Sequence, residues 1–236
     1  MKIDARELGQ VAAVQPPRFD MYGAIHKAIR AFMADTLVAV GRMDADDAPE
    51  TARTADRVMQ LLDFCSSHLA HENGFVHAAI EARAPGASAA IAHDHEEHVH
   101  EIGQLAAAVA ALGGAQGPQR HALAQALYRQ LAQFVAANFQ HMQVEETAHN
   151  AVLWTHYTDE ELVRIHDALV ASIPPEEMMV TARWLVPFLA PAERAGLLAD
   201  IRAKAPAPAF EALLAVSRPH LTQAEDTKLA RALSLP

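Results

Sequence analysis

Two stretches of this 236-residue chain carry, on an otherwise apolar helical stripe, a histidine followed four residues later by a glutamate: His68 to Glu72, and His141 to Glu145. On a helix that spacing puts both side chains on one face, one turn apart. Each stretch therefore offers an imidazole nitrogen and a carboxylate oxygen at one level. Histidine is abundant elsewhere too. Of 14 in the chain, seven lie between residues 68 and 100. Neutral imidazole is the commonest protein ligand for metals, so the chemistry to expect is cation binding. With one cysteine, Cys65, a thiolate-only cluster within one chain is excluded. Nitrogen and oxygen donors without thiolate suit iron, manganese or zinc.

The elements that must position these groups are helical. Alanine and leucine dominate, and apolar residues recur at three- and four-residue steps. Breakers divide the first two-thirds into four long segments: about Phe19–Gly41, about Asp47–Ala82, from near Ser88 to Gly113-Gly114, and about Arg120–Trp154. Asp47 followed by Pro49 and Glu50 reads as a helix start. Four helices with short connections predict an all-α, up-down-up-down four-helix bundle. The expected organisation is a bundle over 19–155 and a helical extension over 156–236. The extension is broken by prolines, and its short helices start at two capping boxes, Thr158 with Glu161 and Thr222 with Glu225.

Following the apolar stripe of each long segment shows what interrupts it. In the first, His26 falls between Tyr22 and Ile29. In the second, His68 and Glu72 precede Phe75 and Ala79. In the third, His95 and His98 stand between Ile91 and Ile102. In the fourth, His141 and Glu145 precede Ala148 and Val152. A buried carboxylate without a partner costs several kcal/mol, and a pair of divalent cations resolves that cost. Counted at ~1.5 Å per residue, all four levels meet near one end of the bundle.

The remaining histidines read differently. His71 lies off the stripe, and His93 and His100 decorate a solvated face. His77 and His149 fall past the predicted site and are expected to be structural. His121, His156, His166 and His220 lack a carboxylate at helical spacing within their own predicted helix. Tyr22 is expected to pack in the core, with hydrogen bonding to a bound oxygen species as the alternative. Cys65 reads as a small core residue.

The lone His26, the two H-x-x-x-E motifs and the run Asp94-His95-Glu96-Glu97-His98 resemble the hemerythrin-like, HHE cation-binding family across roughly 19–155. The stretch from His141 to Leu162 is also similar to the iron-sensing F-box proteins of animals. The resemblance implies two iron ions, with manganese or zinc as alternatives, and an oxo or hydroxo bridge. Glu72 and Glu145 would bridge the ions, His26 and His68 would serve one, and His95 and His141 the other. Where hemerythrins carry H-x-x-x-H on helix three, this chain has Val99 after His95. His98, one turn on, is the nearest substitute and completes the expected ligand set of His26, His68, Glu72, His95, His98, His141 and Glu145.

The function expected from this is a di-iron binding protein that senses or handles iron, dioxygen or nitric oxide. The alternatives are a di-iron enzyme, of oxidase, peroxidase or iron–sulfur repair type, and a metal-free helical scaffold. A net charge of −10 without a basic stripe speaks against nucleic acid as a partner. No apolar run approaches the ~18–20 residues of a membrane span. The opening MKIDARELGQ lacks a signal pattern, and the lone cysteine fits a reducing compartment, so a cytoplasmic location is expected. A protein partner would use the C-terminal helices, and self-association stays open.

Overall fold

The computed structural model describes residues 18–235. The N-terminal stretch read above for a signal pattern lies outside the described residues. The first helix, α1, spans Gly23–Arg42. The second, α2, spans Ala48–His71; Asp47 caps it by accepting the Glu50 N–H at 2.9 Å, and Pro49 sits in its first turn. It runs without a break into a π turn, Glu72–His77, and a last stretch, α3, over Ala78–Arg83. Gly86, at φ +85°, then turns the chain. That turn is fastened by the Glu81 carboxylate, which accepts from the Gly86 N–H at 2.7 Å and from both the Ser88 N–H and hydroxyl.

Helix α4 covers Ala89–Gly114 and α5 covers Gly117–Val144. A second π turn, Glu145–His149, joins α5 to α6, Asn150–His156. Around the bundle, α1 packs on α2 and α5, and α4 packs on the same two. The helix starts differ slightly from expectation. α1 begins at Gly23 rather than Phe19, while α5 begins at Gly117 because Pro118 is accommodated in its first turn.

The bundle interior is layered. A large apolar cluster, with Ile29, Phe32, Leu61, Leu105, Leu131 and Phe134 among its members, fills one side of the histidine level. A smaller cluster of Met21, Tyr22, Val76, Ile80, Leu153 and Leu162 closes the other. The polar residues are thus a slab between two dry regions.

The extension starts with α7, Asp159–Ser172, opened by the expected capping box of Thr158 and Glu161. Its Leu162 belongs to the smaller cluster, and Arg18–Asp159 (2.6 Å) and Arg83–Glu161 (2.6 Å) fasten it over that end. Helix α8, Pro175–Leu185, lays Trp184 against Phe32 of α1, ring centroids 4.2 Å apart and 11° from parallel. Helices α9 (Pro191–Lys204), α10 (Ala207–Ser217) and α11 (Gln223–Leu233) enclose a separate core around Leu198, Phe210, Leu214 and Leu229. The second capping box, Thr222 with Glu225, opens α11 as expected. No described helix is long and apolar enough to cross a membrane.

Candidate metal centre

Each long helix lends the polar slab at least one side chain. Six of the seven expected residues converge there: His26 from α1, His68 from α2, Glu72 from the first π turn, His95 from α4, His141 from α5 and Glu145 from the second π turn. Glu72 Oε1 faces Nε2 of His26 at 3.5 Å and of His68 at 3.1 Å, while its Oε2 faces Nε2 of His95 at 3.6 Å. Glu145 mirrors it. Its Oε2 lies 3.5 Å from His26 Nε2, and its Oε1 lies 3.6 Å from His95 and 3.3 Å from His141. One end of the slab therefore gathers His26, His68 and Glu72, and the other Glu72, His95, His141 and Glu145.

The donor set fits cations. All four carboxylate oxygens of Glu72 and Glu145 are buried with no hydrogen-bond partner, as are Nε2 of His26 and of His68. Buried polar atoms are rarely left in that state. Nε2 of His95 and Nε2 of His141 face each other at 3.1 Å. His95 donates its other ring N–H, from Nδ1, to Asn73 Oδ1 at 2.8 Å, so in the neutral ring its Nε2 presents a lone pair to another nitrogen and to carboxylates. Two ligands on one ion with bonds of ~2.0–2.2 Å stand about 3.0–3.5 Å apart. The separations in the slab fall close to that range.

The rings are held from behind. His26 donates from Nδ1 to Glu146 Oε1 at 3.0 Å, and Arg30 donates to the same oxygen at 2.5 Å. His141 Nδ1 lies 3.5 Å from Asp94 Oδ2. Such outer partners fix ring orientation and ligand basicity. Asn73 and Glu146 each directly follow a slab glutamate, and each serves a histidine on a different helix. Neither residue lies on an apolar stripe, and the one sequence signal for them is their position next to Glu72 and Glu145.

His98 is buried beside the slab without joining it. Its ring lies 4.8 Å from that of His141 and 6.0 Å from that of Phe134, and its Nδ1 has no partner. Neither its nitrogens nor any other group of α4 besides His95 enters the sets of close donors. Burial, with His141 and His95 nearby, pushes His98 down to about 4, so the ring is neutral.

Two expectations need correction. His77 and His149 are not remote structural residues: both are buried, and each lies with Glu145 in a third set of close donors. His77 stacks on His95 at 4.7 Å, its Nε2 has no partner, and burial together with His95 and His149 pushes it down to about 4. His149 hydrogen-bonds the Tyr22 hydroxyl through Nδ1 at 3.2 Å. The cause is the pair of π turns. Each admits an extra residue per turn, so the inward stripe advances by one position. Val76 replaces Phe75, His149 replaces Ala148, and Leu153 replaces Val152 among the buried residues.

Electrostatics in the slab follow from burial and proximity. Burial alone would lower His26, but the hydrogen bond to Glu146 and the nearby charges of Glu72 and Glu145 outweigh it, giving about 9. Burial would likewise raise Glu72, yet His68 and His26 hold it well below the usual carboxylate range. Glu145 is lowered, against burial and the charge of Glu72, by the nearby imidazoles of His141 and His95. The Tyr22 phenol is pushed well above 10 by burial and then by Glu72, Glu145 and Asp20, so it keeps its proton. Cys65, one turn before His68, is raised by burial to about 12 and is a core thiol, not a thiolate donor.

A four-helix bundle whose centre is lined by inward carboxylates and imidazoles from all four helices is a metal-binding bundle of the histidine–carboxylate class. The family model described as the hemerythrin HHE cation binding domain matches residues 19–153. That is more than half of the chain, and the chain belongs to this family. No curated protein and no solved structure matches it.

Proposed function

We propose that this chain binds two iron ions in the slab and uses them, in the cytoplasm, to sense or handle iron, dioxygen or nitric oxide. The observation that carries this reading is the sharing of Glu72 and Glu145: each offers one oxygen to His26 and the other to His95. A carboxylate that splits its oxygens in this way suits two cations and is wasted on one. When bound, ferrous iron supplies electrons and an open coordination position for a small ligand. The chain's own residues do the rest. Asn73 and Glu146 fix the rings of His95 and His26, the two apolar clusters exclude water, and Tyr22 holds a proton on its hydroxyl oxygen next to His149.

The sensing arm of the proposal rests on energetics. Ligands assembled only in the folded bundle make metal binding a part of folding free energy. Helix α7 closes the slab end through Leu162, so loss of order there would reach the extension and a protein bound to it. Anaerobic Fe(II) titration with elemental analysis tests the reading. Two ions per chain are expected, with an optical spectrum that changes on exposure to oxygen. A stoichiometry of one or none would overturn it. Sustained turnover of peroxide or nitric oxide by the ferrous protein would make it an enzyme rather than a sensor.

A further inference from the structure

Far from the slab, α8 meets the bundle over a small cavity of about 170 Å³ lined by Phe32, Arg53, Arg57, Gln60, Arg183 and Trp184. Three of the six are arginines, in a chain whose net charge is −10. Arg53 and Arg57 stand one turn apart on α2, a like-charged pair that repels unless something negative lies between. The guanidinium carbons of Arg57 and Arg183 sit 5.8 and 5.5 Å from the Trp184 ring centroid. The Nε groups of Arg57 and Arg183 are both buried without a hydrogen-bond partner. Arg57 also pairs with Asp35; among the described residues no carboxylate forms an ion pair with Arg53 or Arg183.

We propose that this cavity is an anion site that takes a single phosphate group, as inorganic phosphate or on a small phosphate monoester. Guanidinium forks match phosphate oxygens through paired N–H donors. The two buried Nε–H groups would gain acceptors, and the Gln60 amide adds a neutral donor. Size sets the class of ligand. At about 30 Å³ per water, the cavity holds about five or six waters. That is room for one oxyanion and a short substituent, and less than the ~300 Å³ at which pockets for larger ligands begin. An anion here would bridge α2 of the bundle to α8 of the extension, tightening the contact that Phe32 and Trp184 already make.

Calorimetric titration of the 236-residue chain with inorganic phosphate at constant ionic strength tests this, with Trp184 fluorescence as a second readout. Saturable binding below about 10 mM is expected. Arg183→Gln should weaken it about tenfold or more, and so should Arg53→Gln, an exposed helix position whose change leaves the fold intact. Arg231→Gln, on α11, serves as the control and should bind as the parent does. Tighter binding of glycerol phosphate than of phosphate would identify a monoester as the ligand; equal or weaker binding would identify the free ion. No saturable binding, or equal binding by the parent and both cavity variants, would overturn the proposal. The latter result would place phosphate elsewhere on the molecule, which leaves the metal reading untouched.

Discussion

Glu72 and Glu145 stand in the same relation to the same two histidines: each carboxylate lies 3.5 Å from His26 through one oxygen and 3.6 Å from His95 through the other. The two glutamates open the two π turns, so backbone irregularity and chemistry coincide. π turns inside α-helices recur at functional sites.

Buried, partnerless carboxylates make the bundle dependent on cations. Removing metal by chelation is expected to lower the melting temperature by about 5–10 °C, on the basis of ~2.7 kcal/mol for a ligand at a hundred times its Kd and a chain of this size. Differential scanning calorimetry before and after dialysis against chelator measures it. An unchanged melting temperature would count against cation-dependent folding.

Replacing Glu145 with leucine should act in the same direction in both states. Metal stoichiometry should fall below two, and the metal-free variant should be less stable than the metal-free parent by about 1–3 kcal/mol, because His26 and His141 lose a buried charge partner. Urea melts of both metal-free proteins decide the sign.

The sequence made much of this visible. Repeated three- and four-residue steps located the four long helices, and side chains that interrupt an apolar stripe are conspicuous, so Glu72, Glu145 and their histidines could be read off. A π turn leaves no comparable mark. Its extra residue rotates everything downstream, and a constant helical period therefore set His77 and His149 aside and buried Phe75 instead of Val76. Partners such as Asp94 behind His141 arise from helix packing, which spacing along one helix does not encode.

The rings' rear contacts should matter nearly as much as the ligands. Glu146→Ala removes the acceptor that orients His26 and is expected to weaken metal binding about 10–100-fold while the fold persists. Competition against a chelator of known affinity provides the measurement. Affinity equal to the parent's would show that packing alone positions the ring.

The pH dependence of the metal-free protein has two limbs. His26 is raised from 6.5 to about 9, so its contribution is fully present below about 6.5 and is lost as pH rises through about 9. Glu72 and Glu145 are lowered from 4.5, so their contribution is present above that value and is lost as pH falls below it. Metal-free stability should peak between these limits, and loading at pH 7 should release protons as the cation displaces the one on His26. Melting temperature across the range and proton release in weak buffer check both.

In the extension, Arg194 is buried and donates from Nε to the Val186 carbonyl at 2.7 Å and from one terminal nitrogen to those of Pro187 (2.7 Å) and Leu189 (3.0 Å). Arg194→Ala strands these acceptors and should cost about 3 kcal/mol. Denaturant unfolding followed at Trp184, just before the affected turn, reads the loss.

The slab's position between two dry clusters also governs timing. An ion held there is screened by Leu153 and Leu162 on one side and by Phe134 on the other, with the partly exposed His68 ring facing solvent, so its release depends on local opening of the helices. Exchange with free isotope should be slow and steeply temperature-dependent, paced by opening of the closed end rather than by bond strength at the ion. Such a centre reports the history of supply over its residence time instead of its momentary level.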